Sequence, residues 1–390
     1  MKSLKGKCPW AITIGMLTVG LFANVIAATY TNSASIGNWS ATGSWSGAKP
    51  SDGGAADAVI VLNPANNAVI TNDMSGAFSL NQLNLVANKN ETLQSVGTAS
   101  LSFAGSGASI TNAGGGNFII NSPITLGANL MVGNSSAVKL TLSSNITESA
   151  TAGLTLNSES TRLVYLAGSN TFSGGVTLNG GGVEISNASS LGSGLFTINN
   201  GTTFNNLTGT PAVTLTNASV WNGSITYIGS GANLTMNGPV ALGTNVTLAV
   251  NGYTLTANGN ITGNYSLTKV NSGGVFTLGG NNTFSGGFTS GYGTVLNTLS
   301  GNGSPFGTGS ITLNGNGAAL SAGALGPSQL KLTPAASGAT TLTGGTEPGS
   351  QFSFTNTVFF YLARKDASSP LTYTFGPGSG TVMNRLGKGV

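Results

Sequence analysis

From Ala68 to the end of the chain, apolar and polar residues alternate over short segments that close on Asn-Gly, Gly-Gly or Ser-Gly. Ala77-Phe-Ser-Leu-Asn-Gln-Leu-Asn-Leu85, Ala137-Val-Lys-Leu-Thr-Leu142, Gly252-Tyr-Thr-Leu-Thr256 and Ser310-Ile-Thr-Leu313 show the pattern. Period-2 alternation predicts strands with one buried face, and the Gly and Asn pairs predict turns between them. No window sustains a helical period with caps. Many short strands at regular spacing fit a sandwich, a barrel or a solenoid.

A long repeat decides between them. Asn170-Thr171-Phe172-Ser173-Gly174-Gly175 recurs as Asn282-Thr283-Phe284-Ser285-Gly286-Gly287, an offset of 112. The match extends outward. Asn117–Asn129 aligns with Asn233–Asn245, Asn145-Ile146-Thr147 with Asn260-Ile261-Thr262, and Gly192-Ser193-Gly194 with Gly307-Thr308-Gly309. The copies span about 117–231 and 233–345, and a third is expected to be cut short at Val390. A block of this size holds several rungs of ~20–25 residues, each with about three strands that pair in parallel with their equivalents ~4.8 Å away. Residues 63–390 are therefore expected to form one all-β solenoid of about 16 rungs, roughly 75 Å long. In each motif the Phe is expected to point inward and fill its rung. The Ser-Gly-Gly supplies a tight corner, since glycine reaches positive φ freely. Asn170 and Asn282 are expected to satisfy backbone groups at the corner or to adopt left-handed conformations. A phosphate-cradling loop would need a following helix and a Lys, and neither is present.

These residues resemble the autotransporter-associated β-strand repeat, also called the passenger-associated transport repeat. The resemblance is carried by Leu166–Gly181 and Thr277–Gly287, with Leu267–Leu278 similar to the lead-in of that family. It implies a right-handed parallel β-helix in an exported or surface-displayed protein, with repeats that support secretion and folding and carry no catalytic residues. The resemblance also leads one to expect an outer-membrane translocator barrel, but the given sequence has no run of amphipathic barrel strands.

The N-terminal part differs. Residues 1–28 read as a secretory signal peptide: a basic start, an apolar run from Pro9 to Ile26, and small residues at Ala27 and Ala28. An uncleaved membrane anchor is the alternative. Residues 29–62 are expected to form a cap over the exposed end of the solenoid core, a role that Trp39 and Trp45 suit. Sugar stacking on exposed Trp faces is the functional alternative.

Composition removes several kinds of chemistry. Only 6% of residues are charged, and 61 are Gly. The formal charge of +4 drops to about +1 without Lys2, Lys5 and Lys7 of the leader, which leaves no electrostatic footprint for nucleic acid. There is no His, and the one Cys is Cys8, so the usual zinc sites and His-activated nucleophiles are excluded. Nine acids are scattered along the chain, with Glu184 expected on a solvated face. No catalytic residue, cofactor or metal ligand is assigned. Thr-Leu-Thr at 254–256 and 341–343 is too sparse to mark an ice-binding array. The sequence thus points to a non-catalytic structural or adhesive passenger segment. Its partner would be a host surface, matrix or polysaccharide. The alternative is a carbohydrate-binding or carbohydrate-degrading β-helix.

Overall fold

The computed structural model describes residues 27–344, apart from Ser35, Thr161, Thr208, Thr210, Ser272, Ser310 and the segments 291–293, 298–304, 314–318 and 323–341. The leader through residue 26 and the expected third block lie outside the described residues.

The described chain is a parallel β-solenoid with almost no helix. Each turn crosses three faces. The first face stacks parallel strands from Thr29–Asn32 to Ile261–Thr262. The second face is a continuous 14-stranded sheet from Ile36–Asn38 to Leu342–Gly344. The third carries a four-stranded ladder, Ala77–Leu80 to Ile146–Glu148, and then a six-stranded one, Val213–Leu215 to Ala319–Ala322. Turn length varies. On the first face Val176 pairs with Phe196, whereas Gln82 pairs with the more distant Ser109, so some turns carry longer corners than others.

Alternation decides which side chains enter the stack. In Ala68–Asn72 the alternate residues Ala68, Ile70 and Asn72 are buried, while Val69 faces out. Repeated on every face, this makes one apolar column that runs from Trp39 to Phe306. Each fully buried Leu, Ile or Phe contributes roughly 1.5–3 kcal/mol, so a long stack gains a large core without a globular centre.

The parallel ladder reaches back past residue 63. Thr29–Asn32 pairs in register with Val59–Leu62, and Gly54 bridges Ser79 on the third face. Residues 29–62 thus contain the first turn of the solenoid itself, together with a short excursion. Within that excursion, Trp45–Ser46 pairs antiparallel with the outer edge of Thr29–Asn32. An open edge is a template for association, and this reversed strand covers it. Trp39 and Trp45 are buried, with ring centroids 5.7 Å apart, and Trp39 meets Phe78 at 5.0 Å. The Trp45 indole N–H donates to the Trp39 carbonyl at 2.8 Å.

Candidate functional site

The two NTFSGG motifs replace strands. The first follows Ile146–Glu148 on the third face, where the Thr171 N–H donates to the Ile146 carbonyl. The four-stranded ladder stops there, and strand structure resumes on that face only at Val213. The second motif follows Ile261–Thr262 on the first face, where the Thr283 N–H donates to the Ile261 carbonyl. Among the described residues, no first-face strand follows Ile261–Thr262.

Within each motif the parts have the same roles. Phe172 and Phe284 are fully buried. The buried Asn170 accepts from the Ile146 N–H at 2.8 Å and donates to the Ser190 carbonyl at 2.6 Å. Asn282 accepts from the Ile261 N–H at 2.7 Å and donates to the Pro305 carbonyl. One side-chain amide therefore joins the turn before to the turn after, where a strand would have used its backbone. Gly175 and Gly287 sit at φ +84° and +91°, as the tight corner requires. The following turn is shaped to match. Gly192 and Gly307 lie on the motif rings, so closely that an added Cβ would stand 3.0 and 2.9 Å from ring carbons. Thr171 and Thr283 face outward, as do Ser173 and Ser285.

One difference separates the copies. Ser173 donates to the Glu148 carboxylate at 2.6 Å, and Glu148 also accepts from the Ala152 N–H. The Ser173 hydroxyl, with the Ala152 and Ser173 backbone N–H groups, holds the Glu148 carboxyl below the usual range. In the second copy the partner of Ser285 is the neutral Asn264, at 3.4 Å.

Four features outside the motifs bear on chemistry. Glu184 is not on a solvated face: it is buried on the second face and paired with Lys139 at 2.6 Å. Lys139 also lies 4.2 Å from the Tyr165 ring centroid, and Asn205 donates to Glu184. Thr141, Tyr165 and Glu184 pair in register on successive strands, so a salt bridge between residues far apart in the chain forms only because the turns stack. Lys269 is buried, and its Nζ donates to the Asn271 carbonyl; burial lowers its pKa to about 8. Glu91 is buried, with no hydrogen bond to either carboxylate oxygen. Finally, outward hydroxyls align into columns: Thr155-Thr177-Thr197, Thr247-Thr268-Thr289 and Thr214-Thr235-Thr256. Thr256 of the Thr-Leu-Thr segment belongs to this wider pattern, invisible in linear order because its members lie a full turn apart.

Neither Trp39 nor Trp45 presents a ring face to solvent; both pack under the first turn. Exposed aromatic surface lies instead at Tyr253 and Tyr265, in corners on either side of the second face. Among the described residues no three His, Cys, Asp or Glu side chains converge as a metal site, and no helix is long and apolar enough to cross a membrane.

Comparison with family models, with curated proteins and with solved structures finds no match to the chain.

Proposed function

We propose that the chain is a structural or adhesive segment of an exported protein, a rigid solenoid that presents its outer faces and performs no catalysis. The observation that carries this reading is the use made of the motif. Its buried amide bonds the turns on both sides, and its Phe and glycines fix the packing between them. The most distinctive residues of the sequence therefore serve stacking. The leader pattern at 1–28 and the resemblance to passenger repeats support export and surface display, with repeats that aid passage and folding.

A carbohydrate-binding role is the second reading. The exposed Tyr253 and Tyr265, beside columns of neutral hydroxyls, favour it, because aromatic faces and uncharged hydroxyls suit sugar rings. The full chain tested on a glycan array and in a polysaccharide-degradation assay separates the readings. Adhesion to a matrix without turnover is expected. Turnover abolished by substituting one or two acids would overturn the structural reading. Glycan binding lost on Tyr253→Ala and Tyr265→Ala would establish the second.

A further inference from the structure

Glu91 opens the second-face strand Glu91–Ser95 and points into the core. Its register partners are Ala68 below and Phe118 above. Only 2% of the residue is exposed, and neither carboxylate oxygen has a hydrogen-bond partner. A buried carboxylate in such surroundings is costly, and burial favours the neutral acid. Desolvation alone accounts for the effect here and pushes the carboxyl up to about 8.

The strands packed on either side send no charge inward. Ala68–Asn72 turns Ala68, Ile70 and Asn72 to the interior, and Phe118–Asn121 turns Phe118 and Ile120. The nearby charged groups are engaged or exposed elsewhere. Asp73 accepts from the Ser40 N–H and hydroxyl at the surface, Lys89 is exposed, and Lys139 is paired with Glu184 on the outer face. Among the described residues, no cation is placed to compensate a Glu91 carboxylate.

We propose that Glu91 is a proton-operated latch on the N-terminal turns: the stack closes around the neutral acid, and the ionised side chain drives the turn that carries it to open toward water. The sign follows from linkage. The closed turn keeps its proton up to about pH 8, whereas an opened turn, with Glu91 in water, loses it near the ordinary value of 4.5. Between those values the closed state binds more protons, so closure weakens as pH rises, and the dependence levels off above about 8. The device acts locally, because each turn of a solenoid rests on its neighbours alone.

Amide hydrogen exchange on the full chain, corrected for intrinsic rates, tests this. For Ala68–Asn72, Glu91–Ser95 and Phe118–Asn121, the opening constant should rise about tenfold per pH unit between roughly 5 and 8 and then plateau. Phe196–Ile198, far up the stack, should show no such slope. Glu91→Gln should remove the slope and, above pH 7, protect the turn more than the native residue does. A flat wild-type profile overturns the proposal, as does an equal slope in Glu91→Gln. Should that variant not fold, Glu91→Met or the wild-type profile alone supplies the same decision.

Discussion

The two copies of NTFSGG have nearly the same local structure on different faces of the solenoid. From the first copy to the second the chain makes five full turns and then advances one more face, which is why the strand after the first motif, Val176–Gly180, joins the first face while its counterpart, Phe288–Ser290, joins the second. The sequence block is therefore not a whole number of turns. The motif needs only a turn beneath it, whose N–H and C=O groups it bonds, and a glycine-bearing turn above. Any face supplies both. The module is self-contained, and its surroundings differ chiefly at one partner, Glu148 against Asn264.

The most severe way to break this equivalence is to empty the rung. Phe172→Ala and Phe284→Ala should each cost about 3–5 kcal/mol of local stability, by loss of buried surface and creation of a cavity. A self-contained module predicts similar losses in denaturant-dependent hydrogen exchange at both sites. A loss confined to one copy would show that its face matters.

Next come the corners. Gly175→Ala and Gly287→Ala force a side chain onto positive φ, and at Gly175 the new Cβ would lie 2.4 Å from the Leu195 carbonyl oxygen. About 2–4 kcal/mol is expected at each from backbone strain and overpacking. A thermal melt of each variant reads the loss.

Asn170→Ala and Asn282→Ala should cost about 1–3 kcal/mol each, because the Ile146 or Ile261 N–H is left buried without a partner. Asp in place of either Asn keeps the acceptor but buries a carboxylate against the Ser190 or Pro305 carbonyl, and at neutral pH should cost at least as much as Ala in the same measurement.

The smallest effect separates the copies. Glu148 has its pKa lowered by the Ser173 hydroxyl, so its contribution is present above about 4.5 and fades as pH falls through the lowered value. Exchange protection around Gly174–Val176 should therefore weaken in acid, whereas that around Gly286–Phe288 should not. Ser173→Ala should shift the first copy's acid transition to higher pH. Glu91 responds with the opposite sign, because its proton is retained rather than shed on closure.

Much of the fold was legible in the chain. Period-2 alternation locates the strands, the motif Phe lies inward as its pattern implies, and the glycines of the corner are readable from their conformational freedom. The first turn was harder to see. Thr29–Asn32 is separated from its partner Val59–Leu62 by an excursion with turn residues of its own, so it reads as a separate cap although its ladder is continuous with the solenoid. The burial of Glu184 is hidden from the sequence for a related reason. Alternation says only that it faces outward, and its burial depends on Lys139, Tyr165 and Asn205 from other turns.

By itself, then, the sequence determined which segments are strands, which side chains face in, and where only glycine fits, because these follow from local sterics and a period of two. The tertiary structure decided what stacks on what. Turns of unequal length set which face each segment occupies. They alone decided that a second motif copy lies one face on from the first, and that threonines from three successive turns form a column. They also closed one glutamate, Glu91, into an apolar column with no partner.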